Sequence, residues 1–145
     1  MKSFIVIFLA LTTLASCKVK PVEIDFGHEN CAWCQMTIVD SRFACELVSD
    51  KGKAYKFDAI ECLAQFYLKN TETNWQYIVF MPFDQPGSFH NESEVVFVQS
   101  NSIKSPMGGG LAAYLDVEQT DNKEQTFYDW PDLLKVVMNF INKPE

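Results

Sequence analysis

The sequence predicts an α+β fold made of two ββαβ-type halves. Three observations carry it. A strand, a turn, a second strand and a capped amphipathic helix follow one another in residues 43–69; the same order of signals returns in residues 111–141; and a shift of 71 residues superposes several of their punctuating side chains.

Residues 43–48 alternate apolar and polar as a strand, Ser49-Asp50-Lys51-Gly52 reads as a turn, and residues 53–57 return as the other arm of a hairpin. Asp58 is placed as a helix N-cap with Glu61 three residues on, the pattern of a capping box. Ile60, Leu63, Ala64, Phe66 and Tyr67 then give an apolar face that runs to about Lys69, and residues 76–80 form a further strand. In the second half, residues 111–118 read as a strand, 120–123 as a turn and 124–128 as the returning strand. A helix capped by Asp129 follows to about Ile141, with Pro131 in its first turn, where a missing N–H is tolerated. The shift places Met36 on Met107, Asp50 on Asp121, Phe57-Asp58 on Tyr128-Asp129 and Leu63 on Leu134, which suggests an internal duplication. The first strands come into phase only after a one-residue slip.

The N-terminus predicts export. After Met1-Lys2-Ser3, the apolar run of residues 4–11 is too short to span a bilayer and suits the core of a signal peptide. Leu14-Ala15-Ser16-Cys17 resembles a bacterial lipobox, in which Cys17 becomes the acylated first residue of the mature protein. More than one acyl chain gives stable anchoring in the cell envelope, facing the periplasm or the exterior. The predicted organisation is a signal peptide over 1–16, a lipidated leader over 17–30, a first half over 31–85 and a second half over 86–145.

Charge excludes one class of partner. The formal net charge is −7, and loss of Lys2 with the signal makes it −8. No basic face is visible that could neutralise phosphates, so nucleic acid is not expected as a ligand.

With Cys17 set aside, Cys31, Cys34, Cys45 and Cys62 remain. In an oxidising envelope an even number fits a two-disulfide scaffold, although the chain is long enough to fold on an ordinary core. Cys45, within the alternation Phe43-Cys45-Leu47, and Cys62, on the apolar face of the first helix, read as small core residues.

The chemistry concentrates in Cys31-Ala32-Trp33-Cys34-Gln35-Met36, where a thiolate and a thioether stand one residue apart. Soft donors select soft metals, and this pair points to Cu(I) before zinc or iron. The hexapeptide alone equally fits a CxxC disulfide beside a core methionine. Met107, in Ser105-Pro106-Met107-Gly108-Gly109-Gly110, is a loop thioether able to join Cys34 and Met36 on one ion. Cys31 and His28 are further candidate ligands, with a solvated role for His28 left open. Met81 and Met138 read as packing residues, and His90, in the link between halves, is not expected to ligate.

These motifs together resemble the NosL family: Cys-x-x-Cys-x-Met, then Asp40-Ser41-Arg42-Phe43, then Phe57-Asp58-Ala59-Ile60-Glu61-Cys62 opening a helix, then Pro106-Met107-Gly108. The similarity spans essentially residues 22–141 and includes the lipobox. It implies a NosL-like fold of two ββαβ halves, akin to the organomercurial lyase (MerB) domain, and a lipoprotein copper chaperone rather than an enzyme. It carries Cu(I) ligation over to Cys34 and Met36, and to Met107. It also implies delivery of copper to nitrous oxide reductase, with an ABC-transporter assembly complex as a further partner. Gln35 stands where the family commonly has Gly, which predicts a less tight turn between the two sulfur ligands.

Two other classes remain open. An envelope thiol–disulfide protein would use Cys31 and Cys34 as a redox pair, and a structural lipoprotein would bind no metal. No full catalytic set is legible, so no enzyme activity is expected.

Overall fold

The computed structural model describes residues 18–120 and 124–141. The predicted signal peptide, Cys17 and part of the predicted turn at 120–123 lie outside the described residues.

The first half forms largely as predicted. A short 3-10 turn, Ser41–Phe43, leads into β1 (Cys45–Ser49), β2 (Ala54–Phe57), α1 (Ile60–Lys69) and β3 (Trp75–Phe80). Phe43 therefore precedes the strand, because the Asp40 carboxylate accepts the Arg42 N–H and winds the backbone there into a turn. β1 lies between β2 and β3, antiparallel to both, and the short β4 (His90–Asn91) adds to the far side of β3. Burial on both faces is what fixes β1 at the centre, and every one of its residues is buried.

The second half departs from expectation. β5 (Val96–Gln99) has no counterpart in the sequence reading, yet it forms the middle of the second sheet, between β6 (Leu111–Tyr114) and β7 (Thr126–Tyr128). The predicted hairpin of 111–118 with 124–128 does not form, because β5 takes the hydrogen bonds of both strands. β6 also ends early: the Asp84 carboxylate accepts the N–H groups of Leu115 and Asp116, and Asp116 turns residues Val117–Gln119 into a 3-10 turn by accepting the Glu118 N–H. Under the 71-residue shift β1 falls on residues 116–120, which hold the 3-10 turn Val117–Gln119, and β6 falls on residues 40–43, ahead of β1 and over the 3-10 turn Ser41–Phe43. The element positions thus give no support to an internal duplication in that register.

α2 (Trp130–Ile141) starts as predicted, with the Asp129 carboxylate accepting the Asp132 N–H at 2.9 Å. Its Trp130 sits between the sheets, 5.4 Å from Phe80 and 5.7 Å from Phe97, while Phe80 and Phe97 meet edge to face at 4.8 Å. One hydrophobic core therefore joins β1, α1, β5 and α2, through Leu47, Leu63, Phe97 and Leu133 among others.

The leader is not a free polar tether along its described length. Ile24 is buried, Val22 donates its N–H to Glu46, and Lys56 Nζ reaches both the Glu23 carbonyl and the Glu29 carboxylate at 2.7 Å. These bonds fasten the leader to the β1–β2 hairpin and deliver the chain to the loop at 30–37.

Candidate metal centre

The loop at 30–37 is closed by its own backbone. Asn30 and Thr37 form an isolated antiparallel bridge, the Cys31 N–H donates to the Met36 carbonyl at 2.8 Å, and the Ala32 N–H donates to the Lys56 carbonyl on β2. Gln35 has φ +66°, the one positive value outside glycine among the described residues. The turn is therefore as tight as a glycine would make it, contrary to expectation. The side chain offsets part of the strain by donating Nε2 to the Cys31 carbonyl at 3.2 Å.

Across from this loop lies the start of α1. The expected capping box is absent: Ala59 is the N-cap and makes no side-chain capping bond. Asp58 instead faces the loop, with its carboxylate oxygens 3.4 and 3.5 Å from Cys34 Sγ, and Glu61 accepts the Ser105 hydroxyl at 2.6 Å. Tertiary partners have outcompeted the local cap. Asp58, just ahead of the extended N-cap Ala59, and Cys62, in the first turn of α1, both reach toward this loop.

The result is a cluster in which one donor atom from each of Cys31, Cys34, Asp58 and Cys62 lies within 4.8 Å of the others. Cys31, Cys62 and Asp58 are buried, and Cys34 is half-buried at the mouth. All the described cysteines are free thiols. Cys45 is the inert core residue that the sequence predicts, its thiol pushed well up by burial. Cys62 is the buried core residue that the sequence predicts, and its sulfur also stands among the donor atoms of the cluster.

The electrostatics favour one thiolate in the resting cluster. The neighbouring Cys62 thiol, as a hydrogen-bond donor, holds Cys31 down to about 6, against the opposing effect of burial. Cys62 is pushed far up by that same bond and by burial, and Cys34 is raised by burial. The N-terminus of α1 adds a positive dipole end beside the anion. Three sulfurs with a carboxylate form a donor set suited to a soft cation, whose binding displaces the remaining thiol protons.

Met36 follows Cys34 on the loop and is 43% exposed. Met107, 40% exposed, lines a cleft with Glu61, Gln65, Gln99 and Leu111, none of which belongs to the cluster. His28 is solvent-exposed and paired through Nδ1 with Asp25 at 3.1 Å. His90 contacts Ser88 Oγ. Met81 is buried and packs as expected, whereas Met138 is exposed on α2, because the core-facing positions there are taken by Leu133 and Val137. Around the mouth, Trp33 packs edge-on against Phe66 and carries Lys69 Nζ 5.1 Å above its ring.

No protein-family model and no curated protein sequence matches the chain. Among solved structures, one match covers 79% of this chain and 96% of the other, with a TM-score of 0.63 and 19% sequence identity. In fold, this chain is similar to the copper chaperone NosL from Shewanella denitrificans.

Proposed function

We propose that the chain is a Cu(I) carrier of the bacterial envelope. The carrying observation is the convergence of Cys31, Cys34, Cys62 and Asp58 at the end of a half-open loop. Thiolates bind Cu(I) strongly, and Cu(I) is satisfied by two or three of them, so a half-buried Cys34 leaves an approach for an acceptor's ligand. Met36 beside Cys34 adds a thioether at the mouth, a donor that favours copper over zinc. Asp58 supplies a hydrogen-bond acceptor that orients Cys34. The fold likeness to a protein described as a copper chaperone supports the same reading.

In this account Cys17 carries the lipid anchor. The client is a copper enzyme of the envelope, nitrous oxide reductase by the resemblance of the motifs, loaded alongside an ABC-transporter assembly complex. Met107 contributes a further thioether from the neighbouring loop. The test is competition between the soluble fragment and a Cu(I) chelator under anaerobic conditions. One tightly held ion, lost in Cys34→Ser, supports the carrier; equal affinity in the mutant removes Cys34 from the site.

One observation favours a second reading, a thiol–disulfide protein: Cys31 and Cys34 of the CxxC pair are free thiols whose sulfurs lie within 4.8 Å of each other. Thiol counting on protein taken from the envelope separates the two. Free thiols with bound copper support the carrier, and an obligatory Cys31–Cys34 disulfide supports the redox reading.

A further inference from the structure

The leader lies along the length of the β1–β2 hairpin. Val19 packs over the turn, where a Cβ at Gly52 would stand 3.7 Å from its Cγ2; Val22 donates its N–H to Glu46 on β1; and the Glu23 carbonyl takes Lys56 Nζ toward the open end. The chain is thus fixed to the folded body back to Val19, two residues after Cys17. Two residues reach at most about 7 Å, so a lipid on Cys17 leaves the body no long tether. The turn end of the hairpin carries exposed Lys18 and Lys20 on the leader and exposed Lys51 and Lys53 on the turn. In a chain of formal net charge −7 with 12 Lys and Arg, four of the cations collect at this one end. Among the described residues Arg42, Lys56 and Lys135 are bridged to carboxylates and none of these four is, Lys53 instead resting over the Tyr55 ring at 4.6 Å. Asp50 in the turn, and Glu72 in the loop that Asn74 ties to Asp50, offset only part of that charge. The thiol cluster lies at the opposite end: Asp58 follows Phe57, which pairs with Cys45 where the hairpin opens, about 15 Å from the turn at the rise of a strand.

We propose that the turn end is a docking face for the anionic surface of a phospholipid bilayer, with Lys18, Lys20, Lys51 and Lys53 meeting the headgroups and the thiol mouth turned away from the membrane. The lipid supplies the attachment and the lysines supply the orientation. Negative headgroups attract basic groups that lie beside a membrane insertion point, within a Debye length of the surface. Four lysines alone would hold weakly, but an anchor two residues from the folded body keeps them at the surface, so their attraction acts on orientation rather than on capture. The same headgroups repel the remaining, acidic surface, which reinforces the one orientation. The proposal rests on Cys17 as the lipid anchor and is independent of which ion the thiols hold.

The experiment uses the full lipidated chain, isotope-labelled and reconstituted in nanodiscs whose lipid headgroups carry a nitroxide, with amide relaxation as the readout. In discs rich in phosphatidylglycerol, the amides of residues 49–53 relax severalfold faster than those of the loop at 30–37. Neutral phosphatidylcholine, high salt, and the double variant Lys51→Glu with Lys53→Glu each remove most of that contrast. An even relaxation profile over the surface overturns the docking face, as does the fastest relaxation at the thiol loop, or a contrast that neutral lipid and the double variant leave unchanged. Intact mass tests the anchor separately. A Cys17 without lipid overturns the anchor reading and this proposal with it, whereas a lipidated Cys17 with an even profile overturns the docking face alone.

Discussion

Cys34 Sγ stands 3.4 Å from the nearer oxygen of Asp58, although 24 residues separate them. That contact ties the CxxC loop to the helix start and brings Cys62, four residues beyond Asp58, into the same cluster as Cys34. It also explains why Asp58 does not cap α1.

The first prediction follows from that missing cap. Asp58→Asn should change stability little through the helix itself, since Ala59 is the N-cap without a side-chain bond. Asp129→Ala, which removes a real cap on α2, should cost about 1 kcal/mol in urea unfolding. Equal losses in the two would mean that Asp58 does support the helix.

Two buried cysteines should behave differently. Cys62→Ser should weaken Cu(I) as severely as Cys34→Ser, because each removes a sulfur from the cluster. Cys45→Ser should leave copper binding intact and instead cost about 1–3 kcal/mol, from a hydroxyl placed in an apolar site. Chelator competition and chemical unfolding on the same three variants check both statements.

The strained turn gives a third expectation. Gln35 holds φ +66°. Gln35→Gly should be neutral or slightly stabilising, as relief of the left-handed strain offsets loss of the bond to the Cys31 carbonyl. Gln35→Val should destabilise by about 2 kcal/mol, because a β-branched residue resists this conformation. A stable Val variant would mean that the turn relaxes without difficulty.

Glu46 gives a pH signature independent of the metal. Burial under the leader raises its carboxyl from 4.5 to about 7, despite the Val22 N–H that favours the anion. A folded-state value above the unfolded one gives stability that is fully present below about pH 4.5 and lost as pH rises through about 7. Glu46→Gln should abolish that loss, so the variant should gain on wild type by up to about 3 kcal/mol across the window. Parallel stability curves for the two proteins would show that Glu46 is solvated.

How far the sequence could be read depended on whether local chemistry decided the outcome. Both helices ended near where periodicity placed them, and the hairpin turn at residues 49–52 formed, because these depend on near neighbours. β5 was missed because Val95-Val96-Phe97-Val98 is a short continuous apolar run without alternation, sitting in what read as a link. Cys62 lies in the core as its helix face indicates, but its approach to Cys31, Cys34 and Asp58 was not legible, because a buried cysteine on an apolar helix face looks the same in sequence whatever its tertiary neighbours. Asp58 was misread because an aspartate before a helix is a good cap until a tertiary partner claims it.

The central claim is that copper sits among the sulfurs of Cys31, Cys34 and Cys62. X-ray absorption on protein loaded with half an equivalent of Cu(I), in wild type and in Cys62→Ser, tests it most directly. The account predicts a sulfur-dominated shell in wild type and a lower sulfur count in the variant. A shell dominated by nitrogen or oxygen, or a sulfur count unchanged by Cys62→Ser, would contradict it.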